Sequence, residues 1–288
     1  AQIVIDQQSL IFKKIENLRL DQSDKNDKFS EIQAQYYKIG SEISRLEQSI
    51  EYTNEIQERQ KRDLENAISK ILRDKVDIIS AGRTDKGVHA TNMFAHFDYN
   101  ITSKVEESNF CFLVNRLLPS DIALKAIHKV KADSHSRFDA ISRTYNYYIT
   151  DTKNPFNHRY RYYLSEELDY NNMNKASKKL YQYENFKCFS KSNTDVKTYN
   201  CKITCAKWVK SDDGWKFIIT SDRFLRNMVR AIVGTLIEIG RGRVKTNDLD
   251  KIIHSKDRRN AGYSVPAEGL FLEEIVYDKK IFIESWKK

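Results

Sequence analysis

The sequence contains few of the residues that interrupt helices or cross-link small domains. Three prolines and nine glycines occur in 288 residues, and the first 118 residues contain no proline. The four cysteines have no CxxC spacing, and the six histidines form no HxxxH or HExxH array. Zinc sites usually need such spacings, and four cysteines are few for a disulfide framework in a chain of this length. We therefore expect buried, reduced thiols and no bound metal.

Long apolar runs are also missing. No stretch approaches the roughly 18–20 apolar residues that a helix needs to span a bilayer. The N-terminal residues lack the order of charged, apolar and small residues that marks a signal peptide. These absences predict a cytoplasmic protein with no membrane partner.

Positive charge is abundant, and it is unevenly distributed. The chain carries 49 Lys and Arg against 40 Asp and Glu, a net charge of +9. Residues 1–63 hold 12 acidic and 10 basic residues, so residues 64–288 carry the whole excess. A basic segment of this size favours a polyanionic partner such as nucleic acid. Charge that serves only solubility is the alternative.

Basic and aromatic side chains alternate in residues 157–163, Asn-His-Arg-Tyr-Arg-Tyr-Tyr. Rings that stack on bases beside cations that pair with phosphates are typical of RNA binding. A strand with one aromatic face in the core fits this segment equally well.

The most informative segment is residues 82–90, Gly-Arg-Thr-Asp-Lys-Gly-Val-His-Ala. Asp85 lies between two basic residues in a loop that contains two glycines, which allow close backbone approach to a ligand. Predicted strands precede and follow this loop, and loops positioned by a sheet commonly carry catalytic residues. From the residues alone, Asp85 is either such a residue or part of a solvated Asx-turn.

This nonapeptide resembles the signature loop of the tRNA pseudouridine synthase A (TruA) family. Four more segments resemble motifs of that family and follow in the family's order: residues 115–122, 136–147, 224–236 and 266–272. The resemblance extends over roughly residues 64–277. It implies an α+β fold in which two α/β subdomains, expected here at residues 64–150 and 151–288, surround a basic cleft, usually in a homodimer.

The resemblance also implies an activity, the isomerisation of uridine to pseudouridine at positions 38–40 of the tRNA anticodon stem-loop. This reaction breaks the N1–C1′ glycosidic bond and re-forms the link through C5, and it needs neither metal nor cofactor. By the same resemblance Asp85 is the nucleophile, and Arg230 pairs with it and aims it. Tyr145 stacks on the target uracil, Arg83 occupies the space that the flipped base leaves, and Phe224 lines the pocket.

The front of the chain departs from the family, whose members begin with a strand and a Tyr-Asp-Gly motif. Here apolar residues step by four and three, the a/d spacing of a coiled coil: Ile32, Tyr36, Ile39, Ile43, Leu46 and Ile50. The pattern predicts one long helix over residues 29–63 and another over 3–20, with a polar break at 21–24. Residues 34–48 are similar to the coiled-coil arm of structural maintenance of chromosomes proteins.

Residues 1–63 are therefore either a helical extension or an unrelated fragment that replaced the synthase's first strand. The replacement hypothesis predicts an unpaired edge in the N-terminal sheet. Two alternatives to the synthase also follow, a non-catalytic RNA-binding protein and a coiled-coil structural protein.

Overall fold

The computed structural model describes residues 2–82, 84–99, 107–191 and 196–283. The chain forms two compact units, Ala1–Arg62 and Asp63–Lys288. Its α-helices are α1 Gln2–Leu72, α2 Glu107–Asn115, α3 Tyr170–Lys179, α4 Met228–Gly240 and α5 Asp248–Ser255. None of the described helices is both long and apolar enough to cross a membrane.

The first unit consists of helix, and α1 passes through residues 21–24 without interruption. The predicted break there is therefore wrong. The segment is polar but contains neither proline nor glycine, and Asp21 pairs with Lys25 one turn later at 2.7 Å, a spacing that supports a helix.

The second unit begins with the last turns of α1, which pack against α2. Ala67 and Ile68 from α1 and Phe110 and Val114 from α2 share one buried cluster. The sequence predicts an apolar helical face that begins at Leu64 and a second helix that ends at Asn115, and both are confirmed.

Alternating apolar residues predict a strand over residues 122–130, but the structure shows only a single bridge there, between Val130 and Phe282. The Asn115 side chain instead binds both backbone groups of Leu124, at 2.7 Å to its N–H and 2.8 Å to its carbonyl. Leu124 and Ile127 pack against the α1/α2 cluster, so the alternating apolar residues reflect this packing rather than a ladder.

A six-stranded sheet forms the centre of the second unit, in the order β2-β8-β4-β7-β6 with β5 paired to β4. Its strands are β2 His89–Ala90, β4 Ala140–Thr150, β5 Tyr162–Tyr163, β6 Ile203–Ser211, β7 Gly214–Ser221 and β8 Leu270–Tyr277. The sequence predicts that residues 199–209 pair with 215–220 across the turn Asp212-Asp213-Gly214, and the β6/β7 hairpin confirms this. The main core lies between this sheet and α3–α5. The expected subdomain division at residue 150 stays a prediction.

A separate two-stranded ribbon joins β1 Ile79–Ser80 to β3 Ala95–His96. Within the described residues β1 pairs with β3 alone, and the Ile79 side chain is exposed. The residues before Leu64, where the family resemblance implies a strand, belong to α1.

Candidate active site

The loop that carries Asp85 is attached directly to the central sheet. The Val88 N–H donates to the Asp85 carbonyl at 3.1 Å and closes a turn. Gly87 adopts φ 76°, a conformation that disfavours other residues, and a Cβ there would lie 3.3 Å from Ala267 Cβ. The chain then enters β2, whose His89 aligns with Phe271 of β8 in a parallel pair. Asp85 is therefore held by turn geometry and by the sheet.

Arg230 projects from the first turn of α4 towards Asp85. Its Nη1 lies 3.5 Å from Asp85 Oδ2, and both side chains are about three-quarters buried. Its Nε donates to the Val265 carbonyl at 2.7 Å, which fixes the direction of the guanidinium. A cation held in this way attracts the Asp85 carboxylate and orients it.

Arg226 provides a second cation, with its Nε 3.7 Å from Asp85 Oδ1. The sequence predicts a helix from Phe224 that places Arg226 and Arg230 on one helical face. This prediction is wrong, because α4 begins at Met228 and Arg226 precedes it. The two arginines nevertheless reach the same carboxylate, one on each oxygen.

Asn227 explains why the helix begins late. It adopts the left-handed conformation, with φ 68°, and so separates Arg226 from the helical geometry of α4. Its Nδ2 donates to Ser264 Oγ at 2.6 Å, and Ser264 Oγ also accepts from Arg258 Nη2 at 2.9 Å. The fold therefore stabilises an unusual backbone conformation beside the candidate nucleophile.

Tyr145 lies in the middle of β4, beside a register shift in its pairing with β8. Its ring meets the Phe224 ring edge-on, with centroids 5.2 Å apart and planes at 88°. Burial raises the pKa of Tyr145, Arg143 opposes this shift, and the charge of Asp85 adds to it. The structure therefore brings Tyr145, Phe224 and Asp85 into one region, with the phenol protonated at neutral pH.

Tyr147, two residues further along β4, has a structural role. It is fully buried, and its hydroxyl donates to the Pro266 carbonyl at 2.8 Å. This bond anchors the turn Ala267–Gly269, against which Gly87 packs.

His89 connects the Asp85 loop to the basic and aromatic segment at 157–163. Its Nε2 donates to the Arg159 carbonyl at 3.0 Å. Its ring stacks on Phe271 at 4.7 Å and lies 5.0 Å from the Tyr160 ring. The sequence alone assigns no role to His89, because its partners lie far away along the chain.

Arg83, the remaining predicted site residue, lies outside the described residues. Among the described residues no group of His, Cys, Asp or Glu has the geometry to hold a metal ion. All four cysteines are free thiols, and burial raises the pKa of Cys188 and Cys201 to about 12. Asp85 with its two arginines is thus an anion suited to nucleophilic attack beside an aromatic surface suited to a base.

Known proteins resemble this chain over most of its length. A family model described as tRNA pseudouridine synthase matches residues 176–278. A tRNA pseudouridine synthase A from Bacteroides thetaiotaomicron is 49% identical over 228 residues, which cover 78% of this chain and 84% of the relative. Its counterpart from Parabacteroides distasonis is 50% identical over 226 residues, 77% of this chain and 87% of the relative. One from Staphylococcus aureus is 34% identical over 227 residues, 78% and 85% of the two chains.

The mixed α/β fold around the central sheet fits the pseudouridine synthases as a class. At these identities and coverages the chain belongs to the tRNA pseudouridine synthase A family. The family resemblance of the sequence motifs is thereby confirmed.

Proposed function

We propose that this protein is an isomerase that converts uridine to pseudouridine in tRNA, with Asp85 as its nucleophile. The main support for this assignment is that Asp85, Arg230 and Tyr145 lie close together, although they come from three distant segments of the chain. The chain also belongs to this family. Relatives of 34–50% identity are named for this activity.

The reaction needs a carboxylate that attacks the sugar or the base and later leaves. Asp85 forms a covalent bond to the substrate, the N1–C1′ bond breaks, and the freed uracil turns so that C5 bonds to C1′. The C5 proton is lost, N1 gains a proton, and the Asp85 bond breaks, so the overall step is an isomerisation. Arg230, with its Nη1 3.5 Å from Asp85 Oδ2, orients the carboxylate for the attack.

Tyr145 holds the uracil by stacking. The target base must leave the RNA stack to reach Asp85, and an aromatic face compensates for the lost stacking. The phenol is neutral at pH 7, and burial raises its pKa further, so the ring supports the base without adding a negative charge beside Asp85. Phe224, edge-on to Tyr145, forms the neighbouring wall. Arg83 is assigned, through the family resemblance, to the space that the flipped base leaves.

RNA docking is assigned to a basic cleft that includes the loop at residues 155–161. Phe156 is 93% exposed, and Arg159 and Tyr160 are exposed beside it. Rings and cations in this arrangement suit single-stranded bases and phosphates. His89 ties the loop to the Asp85 segment, so that RNA bound there lies near the nucleophile.

The finer assignments follow from the family. We propose positions 38–40 of the anticodon stem-loop as targets, a homodimeric enzyme, and a cytoplasmic location, where tRNA is found. The two subdomains proposed for the catalytic part are residues 64–150 and 151–288, preceded by the helical residues 1–63.

Mapping of pseudouridine in tRNA tests the function. Unmodified tRNA is incubated with the full chain, and pseudouridine is located by carbodiimide labelling and primer extension. The expected result is modification confined to positions 38–40. RNA that is bound but not modified would instead support a non-catalytic RNA-binding protein. This alternative arises because a helix stands where the family has its first strand.

A further inference from the structure

One face of α1 presents a row of exposed apolar side chains within the first unit. Its members, which we call the 29–43 seam, are between 50% and 74% exposed: Phe29, Ile32, Tyr36, Ile39 and Ile43. None of them joins a buried cluster of the described residues. The alternating steps of three and four place all five at the a and d positions of a heptad repeat.

The seam is too large and too continuous for an ordinary monomer surface. Scattered single apolar residues are normal on a surface, whereas a contiguous apolar stripe marks an interaction site. In a symmetric pair, ten large side chains would meet, and each aromatic ring alone can bury roughly 150–250 Å². This area approaches the roughly 1,200 Å² at which stable interfaces begin.

We propose that the seam binds the same seam of a second copy of this chain, in an antiparallel two-stranded coiled coil. A second copy fits because a and d positions from two identical helices supply matching knobs and holes. The interface is isologous, so it closes as a dimer and does not extend into a filament.

The charged residues that flank the seam determine the orientation. Lys28 and Glu42 both occupy g positions, seven residues to either side of Gln35, and both are exposed. When two helices run antiparallel about Gln35, Lys28 of each copy faces Glu42 of the partner subunit, which gives two complementary pairs. In a parallel pair in register, Lys28 lies far from the partner's Glu42, so neither of these two ion pairs forms.

Lys25 supports the same orientation. It occupies the d position that precedes Phe29, and it pairs with Asp21 on its own helix at 2.7 Å. A parallel dimer would place Lys25 against the partner's Lys25, with like charges in the seam. In the antiparallel dimer the Lys25 stem covers the partner's Ile43, and its ammonium group remains in water.

Disulfide cross-linking of the full chain tests the orientation. Gln35→Cys lies on the antiparallel axis, so the two sulfurs meet, and air oxidation is expected to give a covalent dimer. Lys28→Cys is a matched control at the same heptad position, and it should not cross-link, because its own counterpart lies about 20 Å away at 1.5 Å per residue. Wild-type protein under the same conditions measures the background from the four native thiols.

The charge pairs provide a second test, in which sedimentation equilibrium measures the dimer dissociation constant. Lys28→Glu or Glu42→Lys alone should weaken the dimer about tenfold, because each change breaks two exposed pairs and creates two repulsions. The double variant, which swaps the charges, should restore the wild-type constant.

Three results would overturn the proposal. The first is a monomer at all concentrations. The second is efficient cross-linking of the pair Lys28→Cys and Gln33→Cys without cross-linking of Gln35→Cys, since that pattern indicates parallel helices. The third is Gln35→Cys cross-linking that Ile39→Asp leaves undiminished while circular dichroism shows α1 still helical, since the cross-link would then not depend on the seam.

Discussion

Arg230 and Arg226 contact the same carboxylate from different environments, and this difference yields a quantitative prediction. Arg230 Nη1 lies 3.5 Å from Asp85 with 21% of its side chain exposed, whereas Arg226 Nε lies 3.7 Å away with 60% exposed. We therefore expect Arg230→Gln to reduce catalysis far more than Arg226→Gln, although both changes remove one positive charge.

Burial sets the size of the two effects. Coulomb's law with an effective dielectric constant of about 20 gives a gross attraction of about 5 kcal/mol at the Arg230–Asp85 distance. Water around the partly exposed pair reduces this, and a net value of about 1.5–3 kcal/mol is typical of a bond to a charged group. That loss lowers kcat roughly 10- to 150-fold. For exposed Arg226, solvent screening leaves about 0.2–1 kcal/mol, or less than about sixfold.

Single-turnover tritium release from tRNA labelled at uridine C5 measures these rates, and filter binding of tRNA confirms that the variants still bind RNA. Urea denaturation shows that both variants fold, which matters because Arg230 also binds the Val265 carbonyl. A larger loss from Arg226→Gln than from Arg230→Gln would refute the argument from burial.

Three other changes have defined outcomes. Tyr145→Phe should keep kcat/KM within about tenfold of wild type. Tyr145→Ala should lower kcat/KM roughly 5- to 150-fold, because the stacking of a base on an aromatic ring is worth about 1–3 kcal/mol. Steady-state kinetics measure both values, and equal losses in the two variants would contradict the stacking role. Burial, with a smaller contribution from His135, lowers the pKa of His96 below its usual value. The unfolded chain therefore binds more protons below about pH 6.5, so the free energy of unfolding should fall on acidification from pH 7.5 to 5.5. Urea titrations should show a weaker pH dependence of this free energy in His96→Gln. The same pH dependence in His96→Gln as in wild type would contradict the role of His96. A Cβ at Gly234 would lie 1.9 Å from the Tyr263 carbonyl oxygen, so Gly234→Ala should destabilise the fold by about 1–3 kcal/mol or more. Gly40→Ala, with nothing within 4 Å, is the control and should cost no stability.

The sequence predicts the local elements of the second unit well where periodicity and turn residues agree. The β6/β7 hairpin follows from two alternating segments around Asp212-Asp213-Gly214, and Gly214 is needed because a Cβ there would lie 2.3 Å from the Ile149 carbonyl oxygen. The segment at 122–130 has the same alternation but no partner strand. Asn115 binds the backbone of Leu124 instead, a tertiary contact that periodicity does not encode.

The candidate site was predictable in composition but not in geometry. Asp85, Arg230, Tyr145 and Phe224 follow from motifs, and the structure places these four in one region. The position of Arg226 beside Asp85 depends on the left-handed conformation of Asn227, which no local sequence pattern predicts. His89 acts through Arg159, a partner 70 residues away, so its contact appears only once the chain is folded.

The most direct test of Asp85 as the nucleophile is tritium release by Asp85→Asn. This change removes the carboxylate charge and keeps the side chain's size, and Asp212→Asn in the exposed β6/β7 turn is the matched control. We predict no detectable release from Asp85→Asn with tRNA binding preserved, and wild-type release from Asp212→Asn. Release from Asp85→Asn at the wild-type rate would contradict the assignment of Asp85 as the nucleophile.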